Sequence, residues 1–235
     1  MDVSIIMPVY NEAETVEPVL RAVREVYYGE IIVIDDGSTD DTAMVLSERD
    51  DILLIRHQEN LGYGKSLIDG FQYARFIGIE HALTMDVDGQ HEPQHIHEFL
   101  LAAVEGRADI VSGSRYLPES VAVGEVPPER REVNERVAAE IDRVTGWGLT
   151  DAFCGFKAYR LAALDGLTLT EPGYAFPMQL WAAAHKAGLK VMEMPVERIY
   201  FDHDRSFGED LDDAEKRFAY YMRVWREALG EEAPA

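Results

Sequence analysis

Glu30-Ile31-Ile32-Val33-Ile34-Asp35-Asp36-Gly37-Ser38-Thr39-Asp40-Asp41-Thr42 decides the fold. The unbroken β-branched run Ile31–Ile34 reads as a strand, Glu30–Ile34, buried on both faces. The turn formers from Asp35 to Asp40 stop it and can cap a helix over Thr42–Glu48. A strand that passes through a polar turn directly into a helix is half of a parallel βαβ unit. The same unit recurs on either side. Val3–Val9 is a strand, followed by the acidic helix start Asn11-Glu12-Ala13-Glu14 and by Val16, Val19, Leu20 and Val23 at helical spacing. Ile52–Ile55 and a helix over Lys65–Phe76 come next, then a strand at Ala82–Met85, a helix opening near Pro93 and a strand at Asp109–Ser112. The pattern predicts an α/β chain with a Rossmann-like, mostly parallel central sheet and helices on both faces.

Beyond Arg115 the rhythm breaks. Leu117–Arg131 carries three prolines and five charges of mixed sign and reads as a long surface loop, a length usually reserved for function. Helices over Val133–Val144 and Pro177–Ala187, a strand over Val191–Val196 and a final helix over Asp212–Leu229 complete the chain. The last helix aligns Phe218, Tyr221, Met222, Trp225 and Leu229 on one face, as core packing or as the seam of a homodimer.

The 235 residues are 47% hydrophobic, enough for one sizeable core in a single domain. The longest apolar run, Phe99–Val104, is far short of the ~20 residues a spanning helix needs. No basic stretch precedes an apolar segment at the N-terminus, so no signal peptide is expected. A single cysteine, Cys154, fits a reducing, cytoplasmic compartment. Twenty-two basic residues against 44 acidic ones give a net charge of −22, and the basic set is 17 Arg to 5 Lys. Such a field repels nucleic acid and anionic lipid as bulk partners, and it suits a protein working in high salt, where screening relieves self-repulsion.

Ligands of parallel sheets bind at the carboxyl ends of the strands. The polar clusters fall there: Pro8–Glu12, Asp35–Ser38, Asn60–Lys65, Asp86–His91 and Gly113–Tyr116. Asp86 and Asp88 stand at i and i+2, so in an extended segment both carboxylates point the same way. A hard divalent cation relieves their repulsion, and Gln90 adds a neutral oxygen; a turn or cap pair is the alternative. Asp36 follows an apolar strand, as an acid reading a ribose or base edge would, while helix capping by Asp35 or Ser38 explains the same turn. Lys65 and Arg115 are cations suited to diphosphate oxygens, or ordinary surface charges.

Taken in order, Ser4–Glu12, Val33–Thr42, Asn60–Lys65, Met85–His91 and Gly113–Tyr116 resemble the motifs of the inverting family 2 glycosyltransferases. Asp151–Arg160 resembles a further block found in the dolichyl- and polyprenyl-phosphate mannose and glucose synthases of that family. The resemblance covers about residues 3–205. It implies a GT-A fold over 1–235, with a nucleotide-sugar-binding half (1–115), an acceptor-binding half (116–205) and a C-terminal helix (206–235). It further implies a GDP-mannose or UDP-glucose donor bound through Pro8, Tyr10, Glu12 and Asp36, with Lys65 assisting. Asp86, Asp88 and Gln90 would hold Mg²⁺ or Mn²⁺ and the diphosphate, and Arg115 and Arg205 would meet the phosphates. Asp151 would face the acceptor, expected to be a polyprenyl phosphate met at the cytoplasmic membrane face. A phosphate acceptor needs no strong base; a hydroxyl acceptor does, and Asp151 or Asp88 is then the candidate. The competing readings are an aspartyl phosphatase, which places its D-x-D after the first strand rather than the fourth, and a catalytically silent nucleotide-binding scaffold.

Overall fold

The computed structural model describes residues 2–124, 127–199 and 211–231. Seven strands form the central sheet: β1 (Val3–Val9), β2 (Glu30–Asp35), β3 (Leu53–Arg56), β4 (His81–Thr84), β5 (Ile110–Ser114), β7 (Lys157–Arg160) and β8 (Val191–Pro195). Their order is β3-β2-β1-β4-β7-β5-β8. All pairings are parallel except those of β7, which runs antiparallel to β4 and to β5. A small parallel pair, β6 (Ala122–Val123) with β9 (Arg198–Ile199), stands apart.

The central strands β1 and β2 are largely apolar because both faces are covered. Ile5, Met7 and Val9 of β1 join one core with Val16, Leu20 and Val23 of α1 (Val16–Val26) and Phe99 of α4 (Ile96–Val104). Ile6 points the other way, with Ile32 and Ile34 of β2. That second core takes Leu67 and Phe71 of α3 (Tyr63–Phe76), Val137 of α5 (Pro128–Thr145), Trp181 of α6 (Phe176–Lys186) and Trp225 of α7 (Ala214–Leu229). The short α2 (Thr42–Ser47) lies on the first face through Leu46.

Two expectations change, and one choice is decided. The segment 117–131 is not all loop: β6 and the first turn of α5 lie in it, because Pro128 is the first helical residue, where a proline needs no N–H partner. Of the two readings of the α7 stripe the structure bears out core packing: Tyr221, Met222 and Trp225 are buried on the α5 and α6 side, with Phe218 and Leu229 partly buried beside them. The antiparallel β7 was not foreseen. Four residues with a cation at each end carry no strand signal, yet Lys157 is 3% exposed. Among the described residues no helix is long and apolar enough to cross a membrane.

Candidate active site

From β1 the chain proceeds to β2 and β3 on one side and later returns to β4 on the other. The strand order therefore reverses between β1 and β4, and a crevice opens at their carboxyl ends. A cavity of about 310 Å³ lies there. Pro8, Tyr10, Glu12 and Asp36 from the first two strand ends line it together with Asp86, Asp88 and Gln90 after β4 and with Arg115, Tyr116 and Arg130.

The first two loops are stapled together. Backbone amides of Asn11, Glu12 and Ala13 donate to Ser38 Oγ (3.0 Å), Thr42 Oγ1 (2.8 Å) and Asp40 Oδ2 (3.2 Å). Asn11 Oδ1 accepts from the Thr39 amide in return (2.8 Å). Asn11 takes a left-handed φ of 54°, which asparagine tolerates well. Asp35 is fully buried and ends the turn by accepting from the Ser38 amide (2.9 Å). The polar run after β2 thus fixes the loop that carries Tyr10 and Glu12.

Asp36 works outward from the same turn. Its Oδ1 accepts from the Leu61 amide (2.9 Å) and its Oδ2 from the Gly62 amide (2.8 Å), so it organises the entry to α3. His57 bridges Asp36 Oδ1 (2.7 Å) and Asp69 Oδ2 (3.0 Å). Gly62 has φ 105°, and a Cβ there would overlap the Pro172 carbonyl; the glycine lets α3 begin hard against the segment 171–173.

Asp86 and Asp88 follow β4 through a turn closed by Gln90, whose amide donates to Asp88 Oδ1 (3.0 Å). Tyr63, in the first turn of α3, donates its hydroxyl to Asp86 Oδ1 (3.1 Å). Burial, and then the Asp86 charge, hold the Tyr63 phenol well above its ordinary value, so it stays a donor.

Arg115 is clamped. Its Nε and Nη2 donate to Asp151 Oδ2 (2.7 Å) and Oδ1 (3.0 Å), and its amide to Asp151 Oδ2 (3.1 Å). Burial alone would push the Asp151 carboxyl up, but the Arg115 guanidinium holds it below the ordinary carboxylate value. Behind the pair, Glu193 accepts from the amides of Thr150 and Asp151 (2.9 Å each), and Thr150 Oγ1 meets Ser114 Oγ (2.6 Å). Burial raises the Glu193 carboxyl.

Eight residues picked from the sequence therefore line one cleft: Pro8, Tyr10, Glu12, Asp36, Asp86, Asp88, Gln90 and Arg115. Two placements are corrected. Asp151 has no exposed surface and does not line the cleft; it lies beneath Arg115 as its ion-pair partner. Lys65 does not line the cleft, because its ammonium is drawn along α3 to Asp69, four residues on. Arg205 falls outside the described residues. Tyr63, Asn134, Tyr174 and Arg217 also line the cavity, as does Tyr221, expected only as part of the apolar stripe of the last helix. Of these, Arg217 left a signal. It stands four residues before Tyr221 and eight before Trp225 on the apolar face of α7, an odd place for an arginine.

The two carboxylates and the Gln90 amide are hard oxygen donors, the kind Mg²⁺ and Mn²⁺ prefer. Among the described residues no group of three or more Asp, Glu, His or Cys closes a cage.

Comparison with known proteins supplies the class. Residues 4–168 match Glycosyl transferase family 2, and the chain belongs to that family of glycosyltransferases. The chain is 31% identical over 202 residues to polyprenol monophosphomannose synthase of Mycolicibacterium smegmatis, covering 82% of this chain and 75% of that protein. It is 26% identical to the UDP-N-acetylglucosamine–dolichyl-phosphate N-acetylglucosaminyltransferase of Methanococcus voltae, over 88% of this chain and 89% of that one. Glucosyl-3-phosphoglycerate synthase from Mycobacterium tuberculosis, crystallised with Mn²⁺, UDP and glucosyl-3-phosphoglycerate, superposes with a TM-score of 0.72 at 19% identity. That match covers 98% of this chain and 81% of the other and identifies the fold as GT-A.

Proposed function

We propose that this glycosyltransferase moves a hexose, with inversion, from a nucleoside-diphosphate sugar to a polyprenyl phosphate. One observation carries the reading: a single cleft is lined both by the carboxylates Asp86 and Asp88 and by arginines from two different elements, Arg115 after β5 and Arg130 on α5. Relatives named for polyprenol and dolichyl-phosphate substrates support it.

The nucleoside occupies the end formed by Pro8, Tyr10, Glu12 and Asp36. The diphosphate lies toward Asp86, Asp88 and Gln90, which would hold Mg²⁺ or Mn²⁺. A divalent ion there would offset the negative charge that grows on the leaving diphosphate. As the bond between the sugar C1 and the diphosphate oxygen breaks, an acceptor phosphate oxygen bonds to C1 from the opposite face. Arg115 holds the incoming phosphate with a guanidinium already oriented by Asp151, so little ordering remains to be done in the transition state.

Asp151 favours a phosphate over a hydroxyl acceptor. A hydroxyl needs a base within reach. Asp151 is buried, bonded to Arg115 through both oxygens and held below its ordinary value, so it offers neither access nor basicity. An anionic phosphate oxygen attacks without losing a proton. Recruitment of the lipid places the enzyme at the membrane surface, and the acidic composition suits high salt.

Calorimetric titration of GDP and UDP in high KCl, with and without Mn²⁺, tests the donor end. One nucleotide is expected to bind at least about tenfold more tightly with Mn²⁺ than without, naming the base. Folded protein that binds neither nucleotide would overturn the reading.

A further inference from the structure

The Asp86 carboxylate is gripped from two sides. Tyr63 donates to Oδ1 (3.1 Å). On the other side the carboxylate lies so close to Gly155 that a Cβ at this glycine would overlap it. Gly155 is itself pinned, since its carbonyl accepts from Thr84 Oγ1 at the end of β4 (2.6 Å). Steric contact alone would leave the carboxylate free to swing away from Gly155. The tyrosine hydroxyl adds a directional bond that favours one orientation.

Tyr63 is in turn held by the far half of the molecule. Its ring stacks on Tyr174, with centroids 6.1 Å apart and planes 21° off parallel. The segment that carries Tyr174 is fixed at Glu171, whose Oε1 accepts from Tyr220 of α7 (2.6 Å) and from the Gly173 amide (3.0 Å). The Lys65 amide donates to the Pro172 carbonyl (3.1 Å), closing the contact between this segment and α3. A continuous set of contacts therefore runs from α7 through 171–174 and Tyr63 to Asp86.

We infer that Tyr63 is a positioning residue for the divalent ion. Its hydroxyl fixes the Asp86 carboxylate in the orientation that binds the ion with the donor diphosphate. The inference rests on the assignment of a metal to Asp86 and Asp88 made above. Partners that orient a ligating carboxylate are worth about 10- to 100-fold in metal affinity.

Tyr63→Phe keeps the ring and its stacking and removes the hydroxyl alone. Mn²⁺ binding is measured by calorimetry in the presence of the diphosphate that binds the parent protein, beside thermal melts to verify folding. The expected result is an Mn²⁺ affinity lowered by at least about tenfold, and a transfer rate that recovers toward the parental value as Mn²⁺ is raised. A residue that merely supported the fold would lower the rate at every Mn²⁺ concentration. Gly155→Ala gives a second arm: it crowds the other carboxylate oxygen and is expected to weaken Mn²⁺ binding in the same way. Parental Mn²⁺ affinity in Tyr63→Phe, or a rate deficit that excess Mn²⁺ leaves unchanged, would overturn the inference. Asp86→Ala separates the two levels. If it binds Mn²⁺ as the parent does, the metal assignment itself fails and the role of Tyr63 falls with it.

Discussion

Asp88→Ala is expected to lower sugar transfer about 1,000-fold, the rate equivalent of about 4 kcal/mol, while the protein stays folded. The carboxylate lines the cleft and accepts from the Gln90 amide (3.0 Å) within its own turn, and losing a hydrogen bond of that kind costs the fold about 0.5–1.5 kcal/mol. The catalytic loss is large because the substitution would remove one of the two carboxylates proposed to hold an ion that would offset charge on the leaving diphosphate. Side-by-side rate measurements and melting curves separate the two effects. An Asp88→Ala protein with near-parental transfer would remove the metal role assigned to this turn.

Asp151→Ala is expected to act mainly on stability, by about 3–5 kcal/mol. The side chain has no exposed surface, and its two oxygens serve Arg115 three times as well as the amides of Phe153 (3.1 Å) and Cys154 (3.2 Å). Removing it leaves a largely buried guanidinium without its carboxylate. For a chain of this length the melting temperature falls about 2–4 °C for each kcal/mol, so a drop of about 10 °C is expected. The double variant Arg115→Ala/Asp151→Ala, which removes the orphaned cation too, is expected to melt higher than Asp151→Ala alone. An unchanged melting temperature in the single variant would contradict the buried pair.

The same pair sets an acid limit. The folded value of Asp151 lies below the ordinary 3.8, so the unfolded chain takes up its proton first as pH falls. The stability contributed by the pair is complete above about pH 3.8 and is lost as pH falls through the lower folded value. Melting curves on the parent and on Asp151→Ala are therefore expected to converge under strongly acidic conditions.

Local sequence carried most of the donor end because strand, turn and helix follow one another within a few residues. Val3–Val9 was bounded to the residue, and Asp36, Asp86 and Asp88 reach the cleft from the strand ends where the alternation put them. Errors arose where a distant partner decides the outcome. Lys65 reads from the sequence as a diphosphate cation or an ordinary surface charge, and a carboxylate one helical turn away takes its ammonium. Asp151 was read as facing the acceptor, yet Arg115, 36 residues earlier, buries it. Lys157–Arg160 gains its strand character only by lying between β4 and β5. Tyr63 sat inside the quoted motif Asn60–Lys65, but its hydrogen bond to Asp86 spans 23 residues and leaves no periodic trace.

The most direct test of the central claim is transfer from GDP-mannose, UDP-glucose and UDP-N-acetylglucosamine, in high KCl with Mn²⁺, to a polyprenyl phosphate and to the matching polyprenol. The expected result is a glycolipid formed from one donor with the phosphate acceptor alone, abolished by a chelator. Transfer to the unphosphorylated polyprenol at an equal rate, or no transfer to the phosphate from any donor, would contradict it.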